Sequence, residues 1–360
     1  MIKYLGSKRR LVPVLGDLLG RVDARTALDL FTGTTRVAQE WKRRRAEVWA
    51  VDLARYAEVL AGCYIATDCD RVDRTTLGDA LSHLDGLPGV DGYMTATFSH
   101  DARFFQPHNA RRIDAIRDEI QRRWAGDPLE PVLLTSLLEA ADRVDSTTGL
   151  QMAYLKQWAP RSYQRLTLRA PVLLPGPGHA VGGDATVVAA GLPEVDLAYL
   201  DPPYNQHRYF TNYHVWETLV AWDAPAHYGV ACKRLDAREA STKSVFNDRR
   251  RAPDALAHLI AGVRAATVVI SGSNEGWVGV ADLVDMAAVR GHVEVLAFDS
   301  RRYIGAQIGI HNLQGEKVGR VSHTRNVEYL ICAGEPSVVR RLLDSDSSPC
   351  HCHAGGVHPG

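Results

Sequence analysis

Val195-Asp196-Leu197-Ala198-Tyr199-Leu200-Asp201-Pro202-Pro203-Tyr204 is the stretch from which the rest of the chain is read. Val195–Leu200 is a short apolar run closed by a turn signal, the pattern of a buried strand. In an open α/β sheet, ligands bind just beyond the carboxyl ends of the strands. Prolines at such an edge lack an N–H and have a fixed φ, so the backbone is stiff and its carbonyls are free to accept hydrogen bonds. Asp201 adds a carboxylate and Tyr204 a flat ring. The group suits a planar molecule with an exocyclic –NH2: an acceptor for each hydrogen and a ring to stack on. The plain alternative is a proline turn that closes a strand.

Asp201-Pro202-Pro203-Tyr204 resembles the D-P-P-Y signature of amino-group methyltransferases that use S-adenosylmethionine, DNA adenine methylases above all. The opening Lys3-Tyr4-Leu5-Gly6-Ser7-Lys8 resembles the first motif of the same family, which contacts the methionine end of the cofactor. That resemblance implies Tyr4, Gly6, Ser7 and Lys8 as cofactor-binding residues. Read without it, the segment is a helix entry. Leu11, Val14, Leu15, Leu18 and Leu19 have helical spacing, and free N–H groups beside Lys8 would receive a carboxylate.

Two further strand–acid–helix units follow. Thr26–Phe31 predicts a strand, Thr32-Gly33-Thr34-Thr35 a small-residue turn, and Arg36–Arg45 a helix. The family carries D-x-F-x-G-x-G here. Asp29, Phe31 and Gly33 match, whereas Thr35 replaces the last glycine and is expected to cap the helix through its hydroxyl. Val48–Val51 predicts the next strand, closed by Asp52. An acid about 20 residues after the first loop suits a ribose diol, a logic that dinucleotide oxidoreductases share. Gly182-Gly183-Asp184-Ala185 stands where the resemblance puts an acid near the cofactor's adenine amino group. Asp184 is otherwise an ordinary turn residue.

From about Ala66 to Gln164 the rhythm breaks into helical patterns, notably Ala110–Trp124 and Val132–Val144. The resemblance implies a helical target-recognition lobe here, with Arg103, Arg111, Arg112, Arg117, Arg122, Arg123 and Arg143 available for phosphate. A solvated helix face is the alternative for each. Downstream, His214 opens a helix and reads as a packed histidine rather than a general base. Thr267–Ser271, Val293–Phe298 and Asn326–Cys332 complete the strands.

At 360 residues the chain has room for about two domains. No apolar run approaches the roughly 18 residues of a membrane span, and MIKYLGSKRRL lacks a signal-peptide core, so the expected location is cytoplasmic. Net charge is zero, which leaves any phosphate contact to local clusters such as Lys8–Arg10 and Arg249–Arg251. The six cysteines lack Cys-x-x-Cys spacing and read as reduced thiols. Cys350-His351-Cys352-His353 has metal-binding chemistry but sits in a Ser, Gly and Pro tail.

The expectation is α/β: a Rossmann-like S-adenosylmethionine-dependent methyltransferase sheet, ending in an antiparallel strand pair, with an inserted mostly helical lobe. Residues 1–65 and 165–335 form the catalytic domain, 66–164 the insertion and 336–360 a disordered tail. The resemblance implies methyl transfer to the exocyclic amine of adenine in double-stranded DNA, with Asp201, Pro202 and Tyr204 catalytic and no metal required. It also allows a cognate restriction endonuclease as partner. Rival readings are the same chemistry on cytosine, on a base in RNA or on a protein glutamine, and a silent DNA-binding or cofactor-sensing protein.

Overall fold

The computed structural model describes residues 2–4, 8–204, 208–301, 310–311, 317–319 and 325–342. Gly6 and Ser7 lie outside them. The chain is mixed α/β and divides into two compact units. The first holds Met1–Gly20, Arg25–Val188 and His207–Ser244; the second holds Arg21–Ala24, Ala189–Gln206 and the chain from Val245.

In the first unit β1 (Thr26–Leu30), β2 (Glu47–Asp52) and β3 (Gly178–Gly182) are parallel, with β2 in the middle. Leu30 lies opposite Val51 and Asp52 opposite Gly182, so all three carboxyl ends reach one edge. Ala27, Leu28 and Leu30 are at most 1% exposed, as expected for a strand covered on both faces. The helix Arg36–Arg43 turns Val37, Ala38 and Trp41 inward, and the Trp41 indole N–H donates to the Leu15 carbonyl at 2.9 Å. The sequence did not disclose β3, because Gly-His-Ala-Val-Gly has little strand propensity. Packing explains its last glycine: a Cβ at Gly182 would fall on the Glu58 carboxylate.

The helices Arg74–Gly86, Pro107–Trp124 and Glu130–Val144 belong to this same unit. Two of the arginines expected to face phosphate face inward instead. Arg112 is 8% exposed and donates to the Leu166, Leu87 and Asp85 carbonyls and to the Asp85 carboxylate. Arg117 is 2% exposed and donates to the Leu219 and Val220 carbonyls at the end of the helix His214–Ala221. A cation there meets both orphan carbonyls and the negative end of the helix dipole. Arg111 is exposed and pairs with Asp91 at 2.7 Å. A hairpin of two short strands, β5 (His227–Tyr228) and β6 (Lys233–Arg234), is too brief to show in the sequence.

In the second unit β4 (Val195–Leu200) and β7 (Ala265–Ser273) are parallel. The last long strand of this sheet, β11 (Arg325–Gly334), lies antiparallel to β7 on one side and to β8 (His292–Arg301) on the other. It is the one reversed strand among these four. A short pair, β9 (Ile310–His311) and β10 (Lys317–Gly319), falls between β8 and β11 in sequence. The disordered tail expected from residue 336 is corrected over its first turns. Pro336–Arg341 is a helix with Val339 and Leu342 buried, and Glu335 caps it by accepting the Ser337 and Val338 N–H groups. Residues 343–360 lie outside the described ones.

Candidate active site

The turn after β1 takes the left-handed conformation at every other residue: Phe31 (φ 72°), Gly33 (φ 52°) and Thr35 (φ 60°). Such conformations cost energy outside glycine and gather at functional sites. Asp29, 1% exposed, sits beneath the turn, where its Oδ2 accepts the Thr32 hydroxyl at 2.8 Å and the Ala38 N–H at 3.2 Å. This carboxylate therefore joins the turn to the first turn of the following helix. The expected side-chain cap by Thr35 is overturned. Its hydroxyl donates to the Thr34 carbonyl at 2.7 Å and accepts the Gln39 amide at 2.8 Å, because a left-handed φ directs the side chain away from the helix N–H groups.

Asp52 ends β2 with a half-buried carboxylate. One oxygen accepts the Gly33 N–H at 2.8 Å and the other the Ala54 N–H at 2.9 Å. Burial pushes this carboxyl above its usual range, while the Ala54, Gly33 and Leu53 N–H groups pull it back. The Asp52 carbonyl accepts the Gly183 N–H at 2.9 Å, which ties the end of β2 to the Asp184 turn. Asp184 in turn accepts the Thr186 N–H and hydroxyl on Oδ1.

Tyr4 lies over Gly33: a Cβ there would come within 3.0 Å of the phenol ring. The Tyr4 ring stacks on Tyr209 (5.3 Å between centroids) and on Tyr213 (4.9 Å). Burial and the neighbouring phenols push its hydroxyl well above the usual tyrosine range. Lys3 anchors the segment. Its backbone N–H donates to Asp142 at 3.1 Å, and its ammonium meets Asp142 at 3.2 Å and Asp145 at 3.1 Å. Lys8 starts the next helix through its carbonyl, which accepts the Leu11 and Val12 N–H groups. The first unit thus brings Tyr4, Asp29, Phe31, Gly33, Asp52 and Asp184 together. Sequence reasoning missed Tyr209, whose i, i+4 spacing to Tyr213 was its only signal; Tyr213 fell in the stretch Asn212–Glu217, read as the start of a helix lining the site but with no role for its ring. It also missed Asp142 and Asp145, which gave none.

His214 is no base. It is fully buried against Phe98 and Phe104, and its Nε2 donates to the Gln151 carbonyl at 2.9 Å. Burial lowers its pKa to about 3.

In the second unit Asp201, Pro202, Pro203 and Tyr204 follow Leu200 directly at the carboxyl end of β4. The Tyr204 carbonyl accepts the Trp277 N–H at 3.2 Å, which fixes the end of the motif to the loop after β7. Pro202, Pro203 and Tyr204 line a cleft with Phe246, Ser271 and Trp277. Ser271 is 4% exposed, and its hydroxyl has no hydrogen-bond partner among the described residues. The cleft is mostly apolar, and Ser271 and Ser273 are the buried serines in its lining.

A left-handed glycine turn, acids at the ends of successive parallel strands and a D-P-P-Y strand end define the class, an α/β methyltransferase. The chain belongs to the D12 class N6 adenine-specific DNA methyltransferase family, which residues 4–259 match. It is 27% identical over 317 residues to the type II methyltransferase M.NlaIII of Neisseria lactamica, and 29% identical over 320 residues to M.CviAII of Paramecium bursaria Chlorella virus 1. Each match covers 84% of this chain and 92% of the relative. The modification methylase StsI of Streptococcus sanguinis is 27% identical over 324 residues, 84% of this chain, but the chain spans only 49% of that relative's length. Among the described residues no helix is long and apolar enough to cross a membrane.

Proposed function

We propose that this protein methylates the exocyclic amine of adenine in double-stranded DNA, with S-adenosylmethionine as methyl donor. The observation that carries the reading is Asp201-Pro202-Pro203-Tyr204 closing β4 in a chain of this family. The first-unit residues fit the cofactor. After accepting the Gly33 and Ala54 N–H groups, the Asp52 carboxylate keeps acceptor positions for two ribose hydroxyls. Tyr4 and Lys8, with Gly6 and Ser7, would hold the methionine end, Phe31 and Gly33 would border the nucleoside, and Asp184 would meet the adenine amine. When bound, the cofactor supplies a methyl group activated by its sulfonium charge.

The target base must leave the helix stack to be reached. Its amine lone pair is delocalised into the ring and is a poor nucleophile. Asp201 and the Pro202 carbonyl accept the two amine hydrogens, which draws the lone pair back onto nitrogen, and the carboxylate stabilises the positive charge that builds there. Tyr204 stacks on the extruded ring. Fixed orientation of the amine supplies much of the rate. The reading places the enzyme in the cytoplasm on double-stranded DNA. A cognate restriction endonuclease is in keeping with relatives named modification methylases.

The deciding experiment is transfer of labelled methyl from S-adenosylmethionine to duplex DNA. The product is N6-methyladenine, and Asp201→Ala abolishes most of it. Incorporation into protein or RNA instead, or none at all, overturns the reading.

A further inference from the structure

A second cluster of reactive side chains lies on the hairpin of β5 and β6. His227 is opposite Arg234 and Tyr228 opposite Lys233, so Gly229 to Cys232 make the loop. The Cys232 N–H donates to the Gly229 carbonyl at 3.0 Å, and Cys232 has φ 47°, the left-handed region. That conformation is uncommon for a residue with a Cβ. Although it sits at a hairpin loop, Cys232 is 3% exposed. Asp101, at the end of the π-helical turn Ala96–Asp101, brings its carboxylate to 4.0 Å from His227 Nε2. The Cys232 thiol, the His227 imidazole and the Asp101 carboxylate offer ligand atoms that all lie within 4.8 Å of one another.

The frame behind these groups is satisfied without them. Arg234 holds Asp223 through two bonds, at 2.8 and 2.6 Å, and also meets Asp236 at 2.7 Å. The Tyr93 hydroxyl donates to the Pro225 carbonyl at 2.6 Å, which ties the approach to the hairpin to the segment just before Ala96–Asp101. Cys232 Sγ lies within 4.8 Å of the ligand atoms of His227 and Asp101, beside a frame that those other bonds already hold.

We propose that Asp101, His227 and Cys232 form a zinc site that fastens the hairpin to the Ala96–Asp101 turn. One thiolate, one imidazole and one carboxylate make a ligand set for zinc, whereas magnesium and calcium favour all-oxygen sites. Zinc–ligand distances of about 2.0–2.3 Å put tetrahedral ligand atoms roughly 3.3–3.7 Å apart. Rotation of the Asp101 and His227 side chains, 61% and 30% exposed, closes the difference. Water completes the fourth position. On binding, the Cys232 S–H bond breaks, an S–Zn bond forms, and the proton passes to solvent.

The full chain, purified without chelator or affinity tag, is assayed for metal by mass spectrometry and titrated with Co2+. About one zinc per chain and a thiolate-to-cobalt charge-transfer band are expected. Both are lost in Cys232→Ser and His227→Ala, while Asp101→Asn, an exposed substitution that leaves folding intact, weakens zinc by roughly 10-fold or more. Cys350→Ser/Cys352→Ser keeps the metal. Less than a tenth of an equivalent in the wild type, an unchanged affinity in Asp101→Asn, or metal that follows Cys350 and Cys352 instead, each overturns the proposal.

Discussion

The Asp52 carboxylate accepts the backbone N–H of Gly33 at 2.8 Å, across 19 residues of chain. One carboxylate thus fixes the shape of the turn after β1 from the end of β2, and keeps lone pairs for a ligand. Asp52→Ala removes both functions. Charge-assisted bonds are worth roughly 1.5–3 kcal/mol each, so S-adenosylmethionine affinity is expected to fall by at least 10-fold. Asp52→Asn retains the acceptor oxygen toward one N–H and should lose less. Titration calorimetry decides; equal affinity in wild type and Asp52→Ala removes this residue from the cofactor site.

Thr35 and Gln39 form a compensated pair. A left-handed residue with a Cβ costs roughly 1–2 kcal/mol, and glycine would remove that cost while adding chain entropy to the unfolded state. Thr35→Gly loses the hydroxyl that accepts the Gln39 amide as well, so relief of strain offsets that loss and the variant is expected to stay within about 1 kcal/mol of wild type. Thr35→Val keeps the shape but strands the buried Gln39 amide, a loss of about 1–3 kcal/mol. Thermal denaturation reads both, and a Gly variant clearly less stable than the Val variant refutes this account of the turn.

Lys3 holds Tyr4 in place through two buried acids. Asp142 is 7% exposed and Asp145 is 3% exposed, and Arg161 shares Asp145 at 2.6 Å. Lys3→Ala leaves Asp142 without its charge partner. A loss of about 3 kcal/mol is the scale for stranding a buried charge, and cofactor affinity should fall with it because the Tyr4 stack loosens. Lys3→Ala/Asp142→Asn should recover much of the stability. If the double variant is no better than the single one, the ion pair is not what anchors the segment.

Asp201→Ala should lower kcat by roughly 10²-fold or more, the scale for one preorganised electrostatic group, with cofactor binding little changed. Asp201→Asn keeps shape and one acceptor but loses the charge, so it should retain residual activity. Tyr204→Ala should instead weaken capture of the extruded base by about 1–3 kcal/mol, the worth of base stacking. Single-turnover methylation with binding measured separately distinguishes the two. Wild-type rates in Asp201→Ala would reduce D-P-P-Y to a turn.

Glu217 is 1% exposed, and burial raises its carboxyl from 4.5 to about 7, with Arg234 and the N–H groups of Tyr56 and Arg55 pulling it back. The folded value lies above the unfolded one, so the fold favours the neutral acid. Its stabilising contribution is present in full below about pH 4.5 and is lost as pH rises through 7. Glu217→Gln, neutral at every pH, should gain on the wild type across that window and hold the gain at pH 8. Denaturant melts at pH 4.5, 6 and 8 test this; parallel curves for the two proteins would show that Glu217 does not titrate there.

Local signals were enough for much of this protein. Val195–Leu200 and Thr267–Ser271 are mostly apolar because strands covered on both faces favour apolar side chains, and Asp52 and Asp201 follow such runs directly. Those positions, the turn at Gly33 and the buried role of His214 are written in short windows of chain. Contacts between distant windows are not. Arg112 and Arg117 read as surface charge, yet the carbonyls they cap come from 25 to 103 residues away. β3 has almost no propensity of its own and exists because β2 offers it a partner. The Tyr4 stack, the Lys3 anchor 139 residues from Asp142 and the meeting of Asp101 with His227 and Cys232 were decided by tertiary structure alone. A side chain's chemistry is local, but what it faces is set by how the whole chain closes on itself.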